Sequence, residues 1–551
     1  MISQVVREFN LLKSWVEGQE IFSVSRHVNG RPGVVKSRTG RWPKQECAFQ
    51  YDSHGNFVGM DSPLISGMIP ALLAEANGTV TASTDLTGGS VFSDGTNSLK
   101  LPAGETDLSN LSGGTMRQVA TRCLLPVSYQ SGAWYHEQRI PHIACSELKA
   151  PVIVKPAFRL SDTSGEVALG AAPTVQAMVI EYNGVVTPVK FNGATSFDVP
   201  NGGMVTSDPV DLPAPIPSGA KFYVYSLTSF PSGYPYKSIT DFSTADGPKI
   251  AVSATALTSH ASNPSEMTGG SWVEWPTAAI LDVSDLNSWF VAGDSRIAGM
   301  NGAGNLSYAF ERTPAIFAAV ASESLSGVLT AGRYVNRAIL AGYCQRVACN
   351  LGINDIWGGA NAATVKTRIA DYIKLISNKP IWWCTMEGRT TSSDLWATVA
   401  NQTLANSTYE AVRQAVNSWI RQRQSSLSGY FEIAGVLEGA QGLWKGAERV
   451  VTDAAITSGA NIVSSTTALF KCTDEGKKVL IPGAGAAGAT LVAKINEVTS
   501  ASTAKLDSNA GTTVAGATCH IGVVCFDGVH GTDYASRLIV ASGVVNPSSV
   551  P

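Results

Sequence analysis

The hydrophobic and polar positions of this chain change rhythm four times. Near the start, Val5, Val6, Phe9, Leu12 and Val16 fall on one face of a short amphipathic helix. Such a face suits this chain's own core or a partner subunit. Further on, the stretch 78–115 is rich in Ser, Thr and Gly. It reads equally as short strands with turns or as a connection. From about 115 to 285 come short β-branched and aromatic runs: PVIVKPAFRL, VQAMVIEY, VVTPVKFNG and KFYVYSLTSF. Asn183-Gly184, Asn192-Gly193, Asn201-Gly202-Gly203 and Pro217-Ser218-Gly219 separate them as turns, so this region is predicted to be an all-β sandwich of the jelly-roll kind.

From about 286 the rhythm becomes strand and helix in alternation. NSWFVAGDS, CQRVACNLGIND and KPIWWCTM are apolar runs that end in small or polar residues. ATVKTRIADYIKLIS and NSTYEAVRQAVNSWIRQRQ have helical periodicity. That alternation predicts a parallel α/β sheet, whose functional groups gather beyond the carboxyl ends of the strands. The pattern breaks at about 448, turns β-like with Gly, Ser, Thr and Asn turns to 521, and resumes as strand, turn and helix in VVCFDGVHGTDYASRLIVASGVV. Residues 449–521 are therefore expected to be an insertion within one α/β domain.

Composition narrows the function classes. The 551 residues suggest three or four domains at roughly 150 residues each. With 40 Lys and Arg against 43 Asp and Glu, the formal charge is −3, which lacks the basic footprint expected of a nucleic-acid binder or a membrane-surface protein. Charged residues make up only 15% and glycines number 53, a balance that favours β-rich architecture over long solvated helices. No apolar run reaches the roughly 18 residues of a membrane span, and the first twenty residues lack a secretory pattern. The nine cysteines are scattered without a CxxC pair. Cys344, Cys349, Cys384 and Cys525 sit in apolar runs as buried thiols, so assembly in a reducing cytosol is expected.

Three polar turns could carry chemistry. Gly293-Asp294-Ser295 follows an apolar strand and would lift a serine hydroxyl above the sheet; alone, it reads equally as a helix N-cap. Gly352-Ile353-Asn354-Asp355 ends the next strand, where the Asn354 amide can donate to an oxyanion or simply cap a helix. Asp527 and His530, three residues apart before the last helix, can pair so that the carboxylate orients the imidazole; alone they fit a polar surface or part of a metal site.

Together, in the order Ser, Asn, then Asp and His, these turns resemble the SGNH/GDSL hydrolase family over residues 288–448 and 522–551. The resemblance implies a flavodoxin-like three-layer α/β/α fold. It implies Ser295 as nucleophile, His530 as general base and Asp527 as its orienting carboxylate. The oxyanion hole would take the Ser295 N–H and the Asn354 amide. The family's second block carries a glycine whose N–H also faces the oxyanion. Here Ser322 stands at that place within AAVASESLSGV, with Gly327 the nearby alternative.

Other motifs are set aside. Gly483-Ala484-Gly485-Ala486-Ala487-Gly488 matches G-x-G-x-x-G, but Thr/Ser-rich strands follow it rather than a second βαβ half, so no dinucleotide cofactor is expected. His136 and His142 lack zinc-ligand spacing, and no metal is expected. Trp357, just after the GIND turn, is a candidate sugar-stacking platform. The expected organisation is an N-terminal attachment or oligomerisation region (1–114), a β accessory domain (115–285), and a hydrolase domain (286–448 and 522–551) split by the β-rich insertion. The insertion resembles small β-modules of bacteriophage tail proteins. The expected function is a serine esterase that removes O-acetyl or similar groups from a polysaccharide such as capsule or O-antigen. The expected setting is a virion tail, as a homo-oligomer with trimer the leading arrangement, alongside other tail proteins. The alternatives are an inert receptor-binding or structural virion protein and a secreted bacterial carbohydrate esterase.

Overall fold

The computed structural model describes residues 116–550 except 239–246, 300–303, 424–426 and 441, together with four N-terminal strands. Those strands, Phe22–Ser25, Gly33–Ser37, Cys47–Tyr51 and Phe57–Asp61, form an antiparallel sheet in chain order. The helix expected around Val5–Val16 lies outside the described residues, as does the Ser/Thr/Gly-rich stretch 78–115. Residues Arg117–Pro551 make one compact unit.

Within that unit, the region from 117 to 283 is antiparallel apart from Cys123–Leu124. One sheet runs in the order Val185–Pro188, Thr174–Tyr182, Lys221–Phe230, Trp134–Ile143 and Lys249–Ser253, with Phe197–Asp198 also on Thr174–Tyr182. A second runs through Met204–Thr206, Val152–Pro156 and Ala279–Val283. The Asn-Gly signals are turns: Asn183 and Gly184 have φ of 49° and 75°, the positive pair that a two-residue hairpin demands. His136 and His142 are buried, with their ring nitrogens on the carbonyls of Val273 and Thr121.

The α/β part is a wholly parallel sheet. Its order is Gly429–Phe431, Ile381–Cys384, Arg346–Cys349, Trp289–Gly293, Ala315–Ala319 and Cys123–Leu124. Counted from Trp289, the first five strands stand 2-1-3-4-5, the flavodoxin-like order, which reverses direction beside Trp289–Gly293. The sixth strand departs from the expected boundaries. Cys123–Leu124 comes from the stretch assigned to the accessory domain, yet it covers the open edge of Ala315–Ala319. A two-residue strand carries no periodicity, so the sequence offered no sign of it.

Helices cover the sheet because amphipathic faces and caps form where the pattern put them. Asn361 accepts from the Thr364 N–H to start Ala362–Leu375, which buries Val365, Ile369, Tyr372 and Ile373. Asn406 caps Ser407–Arg421 in the same way. Trp289 and Val291 face Ile433, Leu437, Tyr534 and Ile539 in one core, and strand alternation turns Phe290 and Ala292 to the opposite face.

Residues 449–521 form a closed six-stranded barrel, Arg449–Ile456, Ile462–Ser464, Thr503–Leu506, Leu491–Ser500, Lys478–Ile481 and Val514–Ile521. It has its own aliphatic core, including Val451, Val463, Val479, Ile481, Ile495 and Ile521. Arg449 pairs with Ile521, so the chain leaves and re-enters the α/β part at adjacent positions. The G-x-G-x-x-G run is a turn of this barrel, with a single 3-10 turn at Ala486–Gly488 where a dinucleotide site needs a helix.

Candidate active site

Ser295 begins the short helix Ser295–Ala298 directly beyond the strand Trp289–Gly293. Asp294 caps that helix, its carboxylate accepting from the Arg296 N–H at 3.0 Å. The Asn350 amide locks this turn from the neighbouring strand end: its Oδ1 accepts from the Asp294 N–H (3.0 Å) and its Nδ2 donates to Asp294 Oδ1 (3.1 Å). A Cβ on Gly293 would lie 2.3 Å from Asn350 Oδ1, so only glycine admits this bond. Asp294 is fully buried, and that burial raises its pKa above the ordinary carboxylate value.

The hydrogen-bond chain runs outward from Ser295. Its hydroxyl lies 2.8 Å from His530 Nε2, and His530 Nδ1 lies 2.8 Å from Asp527 Oδ2. The other Asp527 oxygen accepts from the N–H groups of Val529 and His530, each at 2.9 Å. Burial pushes the Asp527 pKa up, but the His530 ring and these two N–H donors outweigh it and hold the carboxyl at about 2. Asp527 is therefore ionised throughout the neutral range and facing the imidazole. This is the arrangement in which a serine hydroxyl passes its proton to a histidine.

Asn354 closes the site from above. Its Nδ2 donates to the Glu323 carbonyl at 2.9 Å, and its Oδ1 accepts from Arg389 Nη2 at 2.9 Å. Glu323 follows the strand on one side of Trp289–Gly293, and Asn354 follows the strand on the other. The amide bridge thus spans the end of the strand that carries Ser295, and one Nδ2 hydrogen is left for an oxyanion. Ser322 has φ of 65°, the left-handed conformation that favours glycine. A glycine would adopt that backbone without the strain a side chain brings. The alternative donor, Gly327, does not serve: its N–H bonds Ser324 Oγ at 3.1 Å and caps Leu325–Val328. Trp357 is not an open stacking platform either. The Arg389 guanidinium lies over its ring, 4.7 Å from the centroid, and Tyr409 meets it edge-on.

Several site residues lay outside the sequence reading. Arg296 is buried and ion-paired with Glu387, Nη1 to Oε2 at 3.0 Å, while its Nε donates to the Val529 carbonyl at 3.1 Å. Asn305 donates to the other Glu387 oxygen. Arg296 therefore ties the turn of Ser295 to the residue before His530. Glu387 and Arg389 both follow the strand Ile381–Cys384, a carboxyl end where functional groups were expected, and that position was the available signal. Asn350 announced itself only as a polar residue between apolar ones, and Arg296 only as the residue after Ser295.

No family model matches the chain, and no curated protein matches it. Solved structures do. A member of the lipolytic G-D-S-L family from Veillonella parvula DSM 2008 is 16% identical over 27% of this chain and 79% of its own, with a TM-score of 0.22. A GDSL-like lipase from Bacteroides thetaiotaomicron VPI-5482 is 8% identical over 47% and 87%, at 0.24. A lipase from a goat rumen metagenome is 9% identical over 28% and 83%, at 0.22. Two of these three solved structures are described as GDSL-type lipolytic proteins and the third as a lipase.

Proposed function

We propose that the protein is a serine esterase of the SGNH type acting on O-acetyl or similar small acyl groups of a polysaccharide. The observation that carries this reading is the unbroken chain from Ser295 Oγ through His530 to Asp527, set at the carboxyl end of a parallel sheet. Ser295 attacks the ester carbonyl while His530 Nε2 takes its proton. Asp527 holds the imidazole by Nδ1 and stabilises the imidazolium. The carbonyl oxygen, now negative, meets the Ser295 N–H and Asn354 Nδ2. His530 then returns the proton to the departing alcohol. A water, deprotonated by the same nitrogen, attacks the acyl-serine and releases the acid. The N–H of Ser322, whose φ of 65° is the left-handed value that favours glycine, is the third donor.

The finer setting, a deacetylase carried on a phage tail, is supported by the joining of this site to an antiparallel accessory region and a compact β-barrel. Acetate release tests the whole reading. Purified protein is expected to hydrolyse p-nitrophenyl acetate and to free acetate from host surface polysaccharide, but not from the same polysaccharide after chemical de-O-acetylation. Binding to cells with no acyl group released from any glycan would favour the inert receptor-binding alternative.

A further inference from the structure

The arginines around the sheet differ in one respect. Arg296 is paired with Glu387, Arg337 with Glu323, Arg368 with Asp355 and Arg413 with Glu410 and Glu438. Arg389 has no carboxylate within ion-pair distance among the described residues. Its one side-chain hydrogen bond among the described residues is Nη2 to Asn354 Oδ1, and its Nε is buried without a partner. Asn354 and Trp357 stand three residues apart on one helix, and the guanidinium rests across both. A half-buried cation without a counter-charge is unfavourable unless a ligand supplies one. The charges in range are already committed: Asp527 to His530, and Asp294 to capping its helix. Burial, with Arg296 nearby, pulls the Arg389 pKa down to about 10, which leaves it charged at neutral pH.

The next residue ties Arg389 to the base loop: Thr390 N–H donates to the Gly528 carbonyl at 3.0 Å, two residues from His530. The guanidinium itself touches Asn354 and has Asp527, the partner of His530, within electrostatic range. His530 protonates the departing alcohol, so a cation between Asn354 and this loop can reach a charge on the alcohol portion. A guanidinium is the side chain best matched to a carboxylate, and one with a free Nη1 can receive it.

We propose that Arg389 is a specificity-determining residue that selects esters whose alcohol portion carries a carboxylate, as an acetylated uronic acid does. This rests on the esterase reading above. The test uses an O-acetylated methyl glucuronoside and its uronate methyl ester, which differ only in that charge, with p-nitrophenyl acetate as a neutral reference. Wild-type protein is expected to prefer the free acid by about tenfold or more in kcat/KM, a preference that weakens with added salt. Arg389→Gln slows all three substrates through Asn354, but it should bring the acid-to-methyl-ester ratio close to one, and Arg389→Lys should restore part of it. Free glucuronate should inhibit wild-type hydrolysis of p-nitrophenyl acetate where equal glucose does not, a measurement that needs no variant. Equal rates on the two glucuronosides, or a preference that survives in Arg389→Gln, would overturn the inference and leave the esterase reading standing. Failure to hydrolyse any of the three substrates would instead remove the esterase reading itself.

Discussion

The nucleophile turn and the base loop meet at the Ser295–His530 hydrogen bond and at that from Arg296 Nε to the Val529 carbonyl, yet they are held in opposite ways. The turn at Ser295 is buried and fixed by side chains: Asp294 and Asn350 bond to each other, and Arg296 to Glu387. The loop at Asp527–His530 is more exposed and fixed largely through its main chain. Its carbonyls at Cys525 and Phe526 accept from Lys478 Nζ of the barrel, at 3.2 and 3.4 Å, and its Gly528 carbonyl accepts from the N–H of Thr390 and the indole of Trp444. Each has a glycine that admits the close approach. At Gly293 the obstacle to a Cβ is the Asn350 side chain, whereas at Gly528, with φ of 88°, it is the Thr390 carbonyl 2.0 Å away. The side that supplies the nucleophile is thus rigid by polar burial. The side that moves protons is held by backbone and depends on the inserted barrel for part of its support.

The largest effects should come from the groups at the junction. Ser295→Ala and His530→Ala are each expected to remove nearly all turnover, on the order of 10⁶-fold, with the double variant little worse because the two act as one unit. Asp527→Asn should lose less, by about one or two powers of ten, since the imidazole keeps its place opposite Ser295. Single-turnover assays with p-nitrophenyl acetate measure this directly. Near-normal turnover in Ser295→Ala would dismantle the mechanism.

The supports of the two halves should fail differently. Arg296→Met leaves Glu387 buried without its cation, and breaking such a pair costs about 3–5 kcal/mol of stability. It also removes the bond to Val529, so kcat should fall with little change in KM. Lys478→Met removes hydrogen bonds to two carbonyls and the ammonium over the Phe526 ring, an effect of about 1–2 kcal/mol, and should lower kcat several-fold in a protein that melts almost normally. Denaturant titrations paired with kinetics separate the two. Equal stability losses in both variants would erase the contrast drawn between the turn and the loop.

The same contrast explains what could be read from the chain. Ser295 and Asn354 were legible because each follows an apolar run that forms a strand, and a strand end is local information; Asp527 and His530 follow an apolar run too, but Val523–Phe526, expected as a strand, makes only one bridge, Cys525 to Gly531. The 3.6-residue spacing in 362–375 and the Asn-Gly turns were legible for the same reason. Asn350, Arg296, Glu387 and Arg389 were not, because their roles arise only when four strand ends come together. Arg296 pairs with Glu387 across 91 residues, and Cys123–Leu124 pairs with a strand nearly two hundred residues on. Nothing in a periodicity records contacts of that range. Gly327 was a fair candidate by residue type and failed by hydrogen bonding, as its N–H was already needed to cap a helix.

The smallest expected effect lies in the exposed loop and depends on pH. Asp527 has its folded-state pKa depressed to about 2 from an ordinary 3.8. A carboxylate with a depressed pKa stabilises the fold above its unfolded value, and that contribution is lost as pH falls from about 4 toward 2. Because the side chain is partly open to solvent, the contribution is small. It should show as a difference in melting temperature between wild type and Asp527→Asn that is steady from pH 7 to about 5 and narrows below 4. Asp294, in the buried turn, predicts the opposite sign. Burial raises its pKa, so its ionised form opposes folding, and Asp294→Asn should lose some of its relative advantage as the wild-type carboxyl becomes protonated in acid. Hydrogen exchange at Val529 and His530, whose N–H groups bond Asp527, locates the first effect in the loop. A melting difference that stayed flat down to pH 2.5 would mean that these two N–H groups do not hold the carboxylate.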